Sequence, residues 1–227
     1  GVRLVGSEMC IRDSFYPPSR CLFKDFLLAR LRLGFFGGSF NPPHLAHVAL
    51  ARCFIPYCTL DSLFVLPTGH SYHKEADIVS SQARYEMCLL VFSHLVNTQV
   101  EHSDIDRKGP TYTVDTLKRY RVQYPYADFY WLLGSDAFLQ LERWHDYPQL
   151  ITFATFVIAP RDHTDHLIIL KHANQLRPSP CIRILPFTPM PYSSSEIRSA
   201  LNRGENHILG LDPKVENYIR SHHLYHT

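Results

Sequence analysis

The chain has 227 residues, 45% hydrophobic and 19% charged, with a formal charge of +2. That composition allows one large globular domain with a buried core and excludes a disordered or fibrous chain. The charge is too mild to mark a nucleic-acid partner, no apolar run is long enough to predict a membrane span, and six scattered cysteines without a C-x-x-C pair argue against a disulfide framework or structural zinc. A cytoplasmic protein with reduced thiols is expected.

Residues 1–30 stand apart from the rest of the chain. The run Gly6-Ser7-Glu8-Met9-Cys10-Ile11-Arg12-Asp13-Ser14 has no helical or strand period and resembles adapter-derived sequence. The segment is therefore expected to lie outside the functional domain, which spans 31–227. From there, apolar runs alternate with amphipathic ones. Strands are predicted at Leu31–Phe36, Ser62–Pro67, Val100–Asp106, Asp128–Leu133, Thr155–Ala159 and Cys181–Phe187. Helices are predicted at Leu45–Ile55, Ser81–Leu95, Val114–Tyr124, His166–Gln175, Ser193–Asn202 and Pro213–Arg220. The expected fold is α/β: a Rossmann-like open, mainly parallel sheet with helices on both faces. In such sheets ligands bind beyond the carboxyl ends of the strands, and each predicted strand here is followed there by a polar motif.

The richest motif comes directly after the first strand: Gly37-Gly38-Ser39-Phe40-Asn41-Pro42-Pro43-His44-Leu45-Ala46-His47. Paired glycines allow close backbone approach, and free amides at the next helix start would face an anion. His44 and His47, at i and i+3, would point toward it from the first helical turn. Neither G-x-G-x-x-G nor G-x-x-x-x-G-K-[ST] occurs, which excludes an ordinary dinucleotide dehydrogenase and a P-loop NTPase. Near the C-terminus, Ser193-Ser194-Ser195-Glu196-Ile197-Arg198 has the form of a capping box, with Gly204 placed to end the helix. Its spare hydroxyls and amides, with Arg198 one turn in, make a second anion cradle. Two such cradles suit a triphosphate. His163 with His166, and the terminal His222, His223 and His226, read as solvated surface residues, because no further ligand is placed to complete a zinc site.

Together these two motifs resemble the paired signatures of the nucleotidyltransferase superfamily that contains the nicotinamide/nicotinate mononucleotide adenylyltransferases. Arg107 to Leu117, Gly134-Ser135-Asp136-Ala137-Phe138, Trp144-His145 and the ending from Leu211-Asp212-Pro213 to Leu224-Tyr225 are similar to the bacterial nicotinate-nucleotide adenylyltransferases, so the likeness covers roughly residues 31–225. It implies transfer of the adenylyl group of ATP to nicotinate mononucleotide, giving deamido-NAD and pyrophosphate, with Mg²⁺ accompanying ATP and no dedicated protein cage. The same resemblance assigns Gly37, Gly38, Ser39 and Phe40 to the nucleotide, and His44 and His47 to its phosphates. Ser193, Ser194 and Arg198 would stabilise the triphosphate and leaving group, while Gly134, Asp136 and Arg161 would complete the ATP side. His44, His47 and Arg198 are the expected catalytic residues.

Acceptor recognition falls by the same resemblance to Asn41, Lys74, Tyr112, Thr113 and Trp144, with Trp144 stacking on the pyridine ring. Ala46 stands where glycine is common in that family, and Thr68 to Lys74 lacks the usual Pro-Pro-His-Lys, so His70 or His73 is an alternative to Lys74. The remaining alternatives are the same reaction on nicotinamide mononucleotide, a phosphopantetheine adenylyltransferase, and a nucleotide-binding module without turnover. Association into a homo-oligomer is compatible with the sequence.

Overall fold

In a computed structural model, the described residues are 30–69, 79–107, 109–161 and 165–225. The leader 1–29 and the segment holding His70, His73 and Lys74 lie outside them, as do His163 and His226. Leu31–Thr227 form one compact unit. Six strands make one sheet: β1 (Arg32–Gly38), β2 (Ser62–Pro67), β3 (Thr98–Val100), β4 (Asp128–Gly134), β5 (Thr155–Ala159) and β6 (Ile182–Ile184). Every pairing is parallel, in the order β3-β2-β1-β4-β5-β6. That is the doubly wound arrangement, and the strand order reverses between β1 and β4.

Alternation along β1 explains the layers. Phe35 is fully buried against Phe64, Phe129 and Trp131 on one face, beneath α3 (Thr113–Gln123), α5 (Tyr147–Phe153) and α6 (Asp165–Gln175). Phe36 packs on the other face with residues of α1 (Leu45–Tyr57), α2 (Ser81–Phe92), α7 (Ser194–Asn202) and α8 (Pro213–Ser221). A short helix, α4 (Ser135–Phe138), and a 3₁₀ turn at Leu141–Arg143 come after β4. Among the described residues no helix is long and apolar enough to cross a membrane.

Four strands differ from expectation: β1 runs on through Gly37 and Gly38, paired with Leu66 and Pro67 of β2, β4 runs on through Gly134, and the third and sixth are shorter or displaced. The third strand is Thr98–Val100 rather than Val100–Asp106, because Ile105 and Asp106 turn their amides back onto the His102 carbonyl (2.9 and 3.3 Å). The sixth stops at Ile184. Leu185 makes one more bond to the Ile158 carbonyl, and Pro186, without an N–H, cannot continue the ladder. The helices α4 and α5 have no counterpart among the predicted elements; both are short, and neither has a long apolar period.

Candidate active site

The loop after β1 is shaped first by what its glycines permit. A Cβ on Gly37 would lie 2.7 Å from the Trp131 ring, so only glycine lets the end of β1 approach β4 so closely. Phe40 then adopts a left-handed backbone (φ 45°) while its side chain, 1% exposed, packs on Phe36, Phe92 and His47. Its ring is therefore a core anchor, and only its surroundings remain for a ligand. Arg198 of α7 donates to the Asn41 carbonyl (2.7 Å), and Ser194 Oγ donates to that of Pro42 (3.0 Å). Tyr225 Oη donates to Asn41 Oδ1 (2.5 Å), and the Leu45 amide bonds the Gly210 carbonyl (2.8 Å). The C-terminal region thus holds the loop at four points.

His44 is the N-cap of α1 rather than a residue of its first turn. Its amide donates to His47 Nδ1 (3.1 Å), and the two rings stack with centroids 3.7 Å apart. One amide expected to face an anion is thereby occupied. Since His47 Nδ1 accepts, the neutral ring carries its proton on Nε2, leaving that N–H as its donor. His44 Nδ1 is buried without a hydrogen-bond partner among the described residues. Burial, reinforced by the positive charge of Arg161, pushes His44 down to about pKa 4; burial, His44 and Arg161 push His47 well below the usual histidine range. Both imidazoles are neutral at pH 7. Negative charge placed beside them would raise both values, opposing the burial and the Arg161 charge that lower them.

Acidification should accordingly destabilise the free protein. With His44 near 6.5 unfolded and about 4 folded, the unfolded chain binds the extra proton between those values, so stability present above pH 6.5 is lost as pH falls toward 4. His44 alone would account for about 3 kcal/mol at the acid limit. Urea midpoints at pH 7 and pH 5 should fall further for wild type than for His44→Gln, whereas equal slopes would contradict this account.

The Ser193 cap forms as its sequence suggests, but the hydroxyls expected to be spare are engaged, Ser194 Oγ with the Pro42 carbonyl and Ser195 Oγ with Arg198. Ser193 caps α7, accepting from the Glu196 amide (3.2 Å) and donating to Glu196 Oε2 (2.7 Å), and Gly204 (φ 69°) lies just past the helix end. Across the reversal point, Gly134 ends β4. The Asp136 carboxylate folds back over it and pairs with Arg161 at 3.0 Å.

These parts line one cavity of about 1030 Å³ at the carboxyl ends of β1 and β4. Its wall holds Gly37 and Gly38 from the end of β1, Ser39, Phe40 and His44 from the loop that follows, and His47 from α1. Gly134, Asp136 and Arg161 come from the ends of β4 and β5, and Ser193, Ser194 and Arg198 from α7 and its cap. Tyr112, Thr113 and Trp144 stand on the wall as well; Tyr112 stacks on His145 at 4.1 Å, which draws the Trp144 turn to the start of α3. Asn41 is not on the wall. It is 8% exposed, with its carbonyl and Oδ1 held by Arg198 and Tyr225, so it anchors the loop.

Several wall or support residues carried no sequence signal of their own. Arg143 lines the cavity beside Trp144, Asp104 is buried at its edge, and Phe187, Met190 and Tyr192 form an apolar stretch before α7. Arg143 ends a short 3₁₀ turn, Asp104 falls where the pattern reads as a strand, and the stretch before α7 is irregular, so periodicity marks none of them. Among the described residues no three His, Cys, Asp or Glu side chains converge to hold a metal. The wall carboxylates of Asp136 and Glu196 are engaged by Arg161 and Ser193.

A crevice at the strand-order reversal of a parallel sheet, lined by two helix starts, fits an α/β protein of the nucleotidyltransferase type. The comparisons agree and go further. The cytidylyltransferase-like family matches residues 35–200. A protein of Albidiferax ferrireducens described as a probable nicotinate-nucleotide adenylyltransferase is 34% identical over 199 residues, 86% of this chain and 98% of that protein. A Neisseria meningitidis serogroup B protein of the same description is 34% identical over 198 residues, with the same coverage. The solved Plasmodium falciparum nicotinic acid mononucleotide adenylyltransferase complexed with NaAD has a TM-score of 0.68 at 23% identity, over 86% of this chain and 98% of that one, a likeness of fold. The chain belongs to the cytidylyltransferase-like family, among its nicotinate-nucleotide adenylyltransferases.

Proposed function

We propose that this chain transfers the adenylyl group of ATP to nicotinate mononucleotide, releasing pyrophosphate and forming deamido-NAD in NAD biosynthesis. The observation that carries the reading is the single cavity joining the stacked His44–His47 pair, Ser194 and Arg198 to an aromatic wall of Tyr112 and Trp144. One end suits a triphosphate and the other a flat ring.

The acceptor's phosphate oxygen would attack the α-phosphorus of ATP, forming a P–O bond as the bond to pyrophosphate breaks. No protein nucleophile is needed, so catalysis reduces to alignment and stabilisation of charge. The backbone of Gly37, Gly38, Ser39 and Phe40 would seat the nucleotide. His44 and His47 would donate to phosphate oxygens, gaining basicity as negative charge enters their site. Arg198, held by Asn41, and Ser194 would receive the growing charge on the leaving group. Arg161 would shift part of its interaction from Asp136 to the nucleotide. Magnesium, carried on the triphosphate, would neutralise the phosphates. Thr113 and Tyr112, at the start of α3, would meet the acceptor together with the face of Trp144.

The competing reading is the same transfer to nicotinamide mononucleotide, and a carboxylate-for-amide comparison separates the two. Pyrophosphate release from MgATP should show a kcat/KM for the nicotinate acceptor at least about tenfold above that for the amide, since one charge-assisted contact is worth roughly twice a neutral one. Equal values would remove the acid preference. Trp144→Ala should raise the acceptor KM about 10- to 100-fold with the ATP KM nearly unchanged, as expected for loss of one ring stack. An unchanged acceptor KM would place the ring elsewhere.

A further inference from the structure

The largest fully buried side chain in the described protein is a charged one. Arg84, on α2, is 0% exposed, and its guanidinium donates to two backbone carbonyls: Nη1 to Ser39 (2.7 Å) and Nη2 to Gly69 (2.9 Å). Ser39 lies in the loop after β1, among the cavity residues. Gly69 comes just after β2, at the start of the segment that leads to Lys74. Burying a guanidinium is costly, and an apolar side chain of similar volume would fill the space at less expense to stability. The fork geometry supplies what an apolar residue cannot, two donors at a fixed separation.

What the fork joins is specific. Gly69 also packs closely on the Asp104 backbone, since a Cβ there would lie 2.2 Å from the Asp104 carbonyl oxygen. Asp104 is itself buried, and its carboxylate receives Thr116 Oγ1 of α3 at 3.3 Å. Contacts therefore run without a break from Ser39 through Arg84, Gly69 and Asp104 to α3, the helix that begins with Thr113 on the aromatic wall. The Thr68 amide adds a direct tie to the Gly38 carbonyl (2.9 Å).

The geometry points to Arg84 as a positioning residue that sets the spacing between the two nucleotide half-sites. It touches no substrate. It holds the donor lip at Ser39 and the acceptor side at Gly69 in one register, so that the attacking oxygen and the α-phosphorus meet in line. This inference rests on the reading of the cavity as a two-nucleotide site. It has a distinct kinetic signature: each nucleotide should bind nearly as well when the spacing is lost, because each half-site survives, but the joint alignment should not. An ångström-scale misplacement costs up to about 10²-fold in rate.

The test compares Arg84→Lys, Arg84→Met and Arg84→Ala with wild type by pyrophosphate release at saturating MgATP and nicotinate mononucleotide, with the folded fraction measured in parallel by circular dichroism. The expected result is kcat per folded molecule reduced about 10- to 100-fold, both KM values within about threefold of wild type, and partial recovery of Arg84→Ala by millimolar guanidinium. Folded variants with wild-type kcat, a rise in one or both KM values with kcat kept, or failure of all three variants to fold would each overturn the assignment, the last by making Arg84 a core residue only. Wild-type protein that releases no pyrophosphate would defeat the two-nucleotide reading itself and this inference with it. An active wild type with unaltered variants would defeat the inference alone.

Discussion

Replacing His47 by alanine should lower kcat about 10²- to 10³-fold, the loss typical of removing one donor aimed at transition-state charge. The structure adds a second, smaller consequence. His47 Nδ1 accepts the His44 amide at the start of α1, so the variant also loses a cap worth about 1 kcal/mol, and its Tm should drop by a few degrees. His47→Asn separates the two effects, because a shorter amide can retain a cap bond without placing a donor where Nε2 stands. Stability should recover in His47→Asn while kcat stays low. An alanine variant that is fully active, or one that is simply unfolded, would show that the stacked histidines serve packing rather than the phosphates. A steady-state assay paired with thermal denaturation distinguishes these outcomes.

Arg198→Ala should cost more, about 10³-fold in kcat/KM, because it removes a cation facing the leaving group together with the bond that fixes Asn41. The guanidinium spans the Asn41 carbonyl and Ser195 Oγ (3.2 Å), a geometry that a lysine cannot reproduce with one ammonium, so Arg198→Lys should recover only part of the loss. Since Arg198 is half-buried on a helix with its own serine cap, the fold should survive either change. Turnover of Arg198→Ala within tenfold of wild type would contradict its assignment to the leaving group.

Local chemistry makes much of this site legible in the sequence. The Gly37-Gly38 pair, the His44–His47 spacing and the Ser193–Glu196 cap depend on residues within four positions of one another; the cap forms where its pattern places it, while the glycines close β1 instead of turning away from it and His44 stands one position before the helix. The strands β2, β4 and β5 are apolar runs buried on both faces, so composition alone marks them. The features that sequence does not reveal depend on contacts between distant segments. Arg84 looks like an ordinary helix residue until the ends of β1 and β2 close over it. Asn41 looks like a loop residue free to meet a ligand, yet Tyr225, 184 positions away, holds its side chain. The third strand escapes its pattern because Val100 to Asp106 carries strand-like alternation, whereas the turn at His102 is stabilised by its own backbone bonds. Periodicity reports which face of an element is buried, not which carbonyl a remote side chain will seek.

The most direct test of adenylyl transfer is product stoichiometry. The purified chain, incubated with MgATP and nicotinate mononucleotide and resolved by anion-exchange chromatography, should form deamido-NAD and pyrophosphate in equal amounts, with no ADP and no product when the acceptor is omitted. Formation of ADP or AMP in place of deamido-NAD, or no consumption of ATP at all, would contradict the account.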